Sequence, residues 1–118
     1  MRELVQLELE ERGAAVVARL SGELDIASAP RLGERLLEAV PTSASGLVLD
    51  LRPLEFIDSS GIAMLFGLAR RLGSRRQGVR VVAEPGGAVM RVLEIVELDR
   101  AAPVHSGLDE ALERLARG

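Results

Sequence analysis

The chain has 118 residues, 47% of them apolar and 28% charged, with no cysteine and a formal net charge of −3. This allows one compact domain over residues 1–118, with a modest core at about 5–115, and excludes disulfides, thiolate zinc sites and a cysteine nucleophile. All 15 basic residues are arginine and Phe56 and Phe66 are the only aromatics, so a nucleic-acid binder's basic field and stacking platforms are missing, as is any Schiff-base or phosphate-binding lysine.

Val5, Leu7 and Leu9 alternate with Gln6, Glu8 and Glu10, and AAVVARL follows at 14–20 after Glu11-Arg12-Gly13. That pattern predicts an antiparallel hairpin with one wet face. Beyond Ser21-Gly22, the residues Leu32, Leu36, Leu37 and Val40 fall at helical spacing, with Ser28 as N-cap and Pro30 in the first turn. A loop at 41–46 leads to LVLDL at 47–51, whose uniform apolarity marks a strand covered on both faces.

From Ser59 a helix carries Ile62, Leu65, Ala69 and Leu72 on one stripe, which Met64, Phe66 and Leu68 widen beyond that of an ordinary surface helix. Such a stripe is either deeply buried or offered to a partner, and it permits self-association, so a monomer or weak homodimer is expected. Arg70, Arg71, Arg75 and Arg76 lie at the negative end of that helix, which Gly73 or Gly78 can stop. VRVVA at 79–83 is another buried strand. Val89, Val92, Leu93 and Val96 form a further helix after Gly86-Gly87, and a short strand is placed around 102–104. A last helix presents Leu108, Ala111, Leu112 and Leu115, with Ser106 and Asp109 spaced as a capping box. The expected order is β-β-α-β-α-β-α-β-α: an α/β fold whose mixed, mostly parallel sheet of four to five strands carries about four helices, mainly on one side.

No segment approaches the roughly 20 apolar residues of a membrane span, and Met1-Arg2-Glu3 begins no signal-peptide pattern, so a cytoplasmic protein without membrane insertion is expected. The lone His105 cannot build a metal site, Gly86-Gly87 lacks the remainder of a phosphate-binding motif, and nothing calls for a cofactor.

The junction between LVLDL and its following helix reads FIDSSG, Phe56 to Gly61. An N-cap needs only Asp58 or Ser59, with Gly61 permitting close packing. A second hydroxyl beside a carboxylate exceeds that requirement. A phosphate on a hydroxyl at this helix start would be tolerated by the fold, because the amides favour negative charge, yet beside Asp58 it would repel an acidic or apolar partner.

FIDSSG, preceded by LVLDL and combined with SGELDIASAPRLGERL at 21–36, resembles the STAS domain of bacterial anti-sigma factor antagonists, from about Val5 to Leu115. The resemblance implies that Ser59 is phosphorylated by a partner that is both serine kinase and anti-sigma factor, with ATP bound by the partner, and that a serine phosphatase reverses the modification. It further implies that the unphosphorylated chain binds the kinase and frees the sigma factor. Asp58 and Ser60 would shape the surroundings of Ser59, and Glu23 and Asp25 of the neighbouring Gly-Glu-Leu-Asp segment would join Gly61, Ile62 and Met64 on the partner-binding face. The alternative is a STAS accessory or ligand-binding module of a transport or stress-sensing assembly. An enzyme is disfavoured, because Ser59 has only its neighbour Asp58 and the sequence-distant His105 as candidate bases.

Overall fold

The computed structural model describes residues 5–118, so Met1-Arg2-Glu3 lies outside the described residues. β1 (Val5–Arg12) and β2 (Ala15–Leu24) form the expected antiparallel hairpin, with Arg12 opposite Ala15 and Gly13 at φ 62 in the turn between them. α1 (Ala29–Ala39) returns the chain to β3 (Gly46–Asp50), which runs parallel to the first half of β2. β4 (Leu54–Ile57) then runs parallel to the second half of β2, and α2 (Ser59–Gly73) follows. β5 (Gly78–Val82), α3 (Ala88–Ile95), the 3-10 turn Leu98–Arg100, β6 (Val104–His105) and α4 (Leu108–Arg117) complete the fold.

The strand order is β1-β2-β3-β5-β6, with β4 paired to β2 off that path. The sheet therefore holds six strands, where four to five were expected. The additional strand, LEFI, escapes a pattern search because the register shifts between Gly22 and Glu23 and its burial runs inward, outward, outward, inward. A bulge breaks the period of two on which strand recognition depends.

The two faces of the sheet are covered unequally. Val16, Ala18, Leu20, Leu47, Leu49 and Val81 face the main core with the buried residues of α1, α2 and α3, whereas Ala15, Val17, Val48 and Val82 pack with Ala111 and Leu115 of α4. Strands covered on both sides read as continuous apolar runs, as LVLDL and VRVVA do. On α2 the wide stripe is accommodated inside the fold: Leu65, Leu68 and Leu72 are buried, and Ile62, Met64 and Phe66 pack partly buried against the core.

Of the expected helix ends, Ser28 does stand at the N-cap position of α1 and α2 does end at Gly73, while the capping box of α4 is corrected. Ser28 makes no cap bond to α1; its hydroxyl instead accepts from the Asp25 amide at 3.1 Å, while Asp25 Oδ1 accepts from the Ala27 amide at 3.0 Å. At α4, Gly107 occupies the cap position without a side-chain bond, so Ser106 stands one residue too early for a capping box with Asp109. Neither Gly73 nor Gly78 supplies the left-handed residue after α2. The Gln77 amide donates to Leu72 O and the Arg76 amide to Gly73 O, both at 2.9 Å, with Arg76 itself at φ 60. This is a Schellman turn with arginine where glycine is usual.

The strand expected around 102–104 is observed at Val104–His105. The Val104 amide is capped by Asp99 Oδ1 at 2.8 Å.

Candidate functional site

The site forms where the second half of β2 and β4 end side by side. Glu23 pairs with Phe56 and Leu24 with Ile57, and the Asp58 amide donates to Leu24 O at 3.1 Å. These bonds hold the Gly22–Asp25 segment against the start of α2, which brings together two motifs more than thirty positions apart in the sequence. Leu24 and Ile57 point into the core, while their neighbours Glu23 and Phe56 are exposed.

Asp58 is the N-cap of α2, and its Oδ1 accepts from the amides of Ser60 at 2.8 Å and Gly61 at 3.0 Å. Of the four amides that a helix start leaves without intrahelical acceptors, those of Asp58, Ser60 and Gly61 are thereby occupied. The Ser59 amide remains the open donor of this turn among the described residues. The two serines differ in setting because successive helical residues turn by about 100°. Ser59 is exposed to solvent, whereas Ser60 is half-buried and lines a groove of about 480 Å³ between α1 and α2.

Gly61 is buried, and a Cβ there would lie 2.7 Å from Ile57 Cγ1 and 2.9 Å from Leu24 Cγ. Only glycine lets α2 start this close to the strand ends. Gly61→Ala is expected to lower stability in urea denaturation by about 1–2 kcal/mol, because overpacking outweighs the gain in helix propensity. An unchanged midpoint would mean that the strand ends yield freely.

The other expected partner-binding residues divide between two locations. Ile62 packs partly buried on the core, and Met64 lies in the α1–α2 groove, its Cγ 3.0 Å from where a Cβ on Gly33 would stand. Asp25 is half-buried, and its side chain orders the turn into α1. Sequence reasoning missed two residues here: Phe56, 47% exposed, and Ile26, 75% exposed. Both are apolar side chains left in water, one on β4 just before Asp58 and one just after the Gly22–Asp25 segment. The signal was the presence of large apolar residues within otherwise polar junctions, but only the pairing of β4 with β2 shows that Phe56 faces outward.

Asp50, fully buried at the end of β3, stabilises the bend from which β4 departs. It accepts from the Arg52 backbone amide at 3.2 Å, from Arg52 Nε at 2.9 Å and Nη2 at 2.8 Å, and from Arg19 Nε at 3.2 Å. Burial pushes its pKa upward, but the hydrogen bonds from Arg52 and Arg19 outweigh this and hold the carboxyl below the usual value.

His105 belongs to a different arrangement. Its side chain, 9% exposed, lies between Glu110 Oε1 at 2.9 Å from Nδ1 and Arg80 Nη1 at 3.2 Å from Nε2. A guanidinium only donates, so Nε2 accepts and Nδ1–H donates to Glu110. That hydrogen bond holds the Glu110 carboxyl below its usual range. β6 lies three strands from β2 in the sheet order, roughly 14 Å at ordinary strand spacing. His105 is therefore not positioned to act as a base for Ser59. Among the described residues no group of three or more His, Cys, Asp or Glu side chains could hold a metal ion. No helix there is long and apolar enough to cross a membrane.

The chain is thus an α/β domain with three helices on one face of a mixed sheet and an exposed serine at a capped helix start beside the end of β2. Residues 6–111 match the family model for the STAS domain, and the chain belongs to that family. It is 30% identical over 112 residues to the anti-sigma F factor antagonist of Paenibacillus polymyxa, covering 94% of this chain and 95% of the relative. The crystal structure of an anti-sigma factor antagonist from Mycobacterium paratuberculosis is similar with a TM-score of 0.84 and 31% identity, over 95% of this chain and 94% of that one. The phosphorylated form of the Bacillus cell fate determinant SpoIIAA matches with a TM-score of 0.66 and 25% identity, over 93% and 99% of the two chains.

Proposed function

We propose that this chain is an anti-sigma factor antagonist switched by phosphorylation of Ser59. In the unphosphorylated form it binds an anti-sigma factor that is also a serine kinase, and the sigma factor is released. The observation that carries the proposal is the difference between the two serines: Ser59 stands in solvent at the first position of α2, and Ser60 faces a groove. In the transfer step, Ser59 Oγ bonds to the γ-phosphorus of the kinase's ATP as the bond to the β-phosphate oxygen breaks, and the hydroxyl proton passes to a base on the kinase. The chain supplies the acceptor and its presentation. A serine phosphatase restores the hydroxyl.

The helix start suits the modified residue as well as the free one. The open Ser59 amide and the positive end of the α2 dipole favour the phosphate by about 0.3–1 kcal/mol when exposed, so the fold persists. The contact surface changes instead. Phe56 and Ile26 offer apolar area for docking, and a group carrying about −1.5 to −2 charges next to the fixed Asp58 carboxylate would have to be desolvated in the complex. Glu23, Asp25, Ser60, Gly61, Ile62 and Met64 complete the partner-binding residues of this reading, with Met64 reached only by a partner that extends along the α1–α2 groove.

Incubation with an anti-sigma factor kinase from the same genome and ATP should add one phosphate by intact-mass spectrometry. Ser59→Ala should abolish it while Ser60→Ala retains it. Incorporation that persists undiminished in Ser59→Ala would refute the site.

A further inference from the structure

The groove of about 480 Å³ between α1 and α2 continues away from the phosphorylation site along the length of both helices. Leu37, Met64 and Leu68 give it an apolar floor, and Ser60 lines the end next to Ser59. Arg70 and Arg71, in the last turn of α2, line the other end. That position suits the negative end of the helix dipole, but neither arginine forms an ion pair with a carboxylate among the described residues. Glu34 lines the groove as well and is not within ion-pair distance of either of them.

A second feature lies between these two ends. Gly67 lines the groove, and beyond its own helix backbone a Cβ there would meet only Arg70 Nη2, at 3.8 Å. Packing within the chain therefore does not require glycine at this position. Gly61 differs, since a Cβ there would come within 2.7 Å of Ile57, and so does Gly33 on the facing wall, where Met64 Cγ would stand 3.0 Å away. A glycine inside a helix costs stability relative to alanine, and what it offers in return is a backbone that another chain can approach closely.

We propose that this groove is the docking site for an amphipathic helix of the kinase, an inference that rests on reading the chain as that kinase's substrate. The docked helix lays its apolar face over Met64, Gly67 and Leu68 and sets carboxylates against Arg70 and Arg71. A ridge of side chains on one helix fits the groove between two others. The α1 wall from Ala29 to Leu37 is about 12 Å long, which accommodates about two turns. Charge fixes the direction of docking: Glu23 and Asp58 stand at the Ser59 end and Arg70 and Arg71 at the other, so a helix of opposite polarity binds one way round. Ser59 and Ser60 are adjacent, so a partner that takes Ser59 into its ATP site covers the start of the groove as well. A second copy of this chain is a poorer occupant, because two concave grooves brought face to face leave both unfilled.

The test uses the full chain with an anti-sigma factor kinase from the same genome, calorimetric titration, and phosphate incorporation measured against chain concentration. Gly67→Leu fills the groove with a better helix former, so it should raise the melting temperature while weakening kinase binding by about tenfold or more. KM for the chain should rise by the same factor with kcat unchanged, because docking precedes transfer. Arg70→Glu combined with Arg71→Glu should weaken binding by a similar factor, with a smaller loss in high salt. Parent affinity in both variants, with Ser59 still phosphorylated, would overturn the docking site and leave the phosphorylation switch standing. A parent chain neither bound nor phosphorylated by the kinase would overturn both. A dimer in sedimentation that Gly67→Leu dissociates would assign the groove to a second copy and overturn the kinase helix.

Discussion

Replacing Ser59 by glutamate is expected to leave the fold intact and to weaken binding to the anti-sigma factor by about a hundredfold or more. The physical argument rests on how little the surrounding groups can adjust. Asp58 cannot turn away from a new negative charge, because its Oδ1 holds the Ser60 and Gly61 amides and so the helix start. Glu23 on the paired strand end and Glu55 on β4 are exposed nearby and add to the same field. An interface that covers Phe56 and Ile26 must strip water from the carboxylate at position 59, and an uncompensated buried charge costs several kcal/mol. Phosphate carries more charge than glutamate, so phosphorylated Ser59 should bind more weakly still. Calorimetric titration with the anti-sigma factor is the measurement, and the melting temperature serves as the control for folding. Equal affinities for the parent and the glutamate variant, at equal melting temperature, would contradict charge exclusion as the switching mechanism. Phe56→Ser should weaken binding without affecting phosphate tolerance, which distinguishes a contact residue from the switch itself.

Asp50→Asn is expected to cost about 2–3 kcal/mol at neutral pH, the largest stability loss expected of a single polar substitution here. A buried carboxylate that accepts from one amide and two guanidinium groups becomes an amide whose NH2 must face arginine donors. The loss stays below the 3–5 kcal/mol of a fully buried broken pair because Arg19 and Arg52 are 41% and 35% exposed and can turn to water. The pH dependence follows from the lowered pKa of Asp50. A carboxyl with a depressed folded-state value contributes its full stability above the unfolded value, about 4, and loses it as pH falls through the folded value. The difference between parent and variant in urea denaturation should therefore narrow from pH 7 toward pH 3. A constant difference across that range would show that the ionised carboxylate is not what stabilises the bend. Because Arg52 lies two residues before the start of β4, the variant should also present Ser59 less rigidly and accept phosphate more slowly from the kinase.

Much of this arrangement was legible in the residues alone. The hairpin with Gly13 in its turn, the doubly covered LVLDL and VRVVA strands and the α2 stripe follow from periodicity, since burial on one or two faces imposes a repeat on the chain itself. Asp58 as a helix cap was legible for the same reason: the partners of its side chain lie two and three residues away. Helix ends were less legible where a partner came from the preceding turn, as when Ser28 bonds back to Asp25.

Local chemistry dictated the serine at a helix start and every element except the bulged strand β4. Tertiary structure alone distinguished Ser59 from Ser60, turned Phe56 and Ile26 into water, and set the Asp50 carboxylate between Arg19 and Arg52. Those outcomes depend on pairings across thirty or more positions, such as Arg19 with Asp50. A bulged register and a close glycine contact decide them, and neither leaves a periodic trace in the sequence.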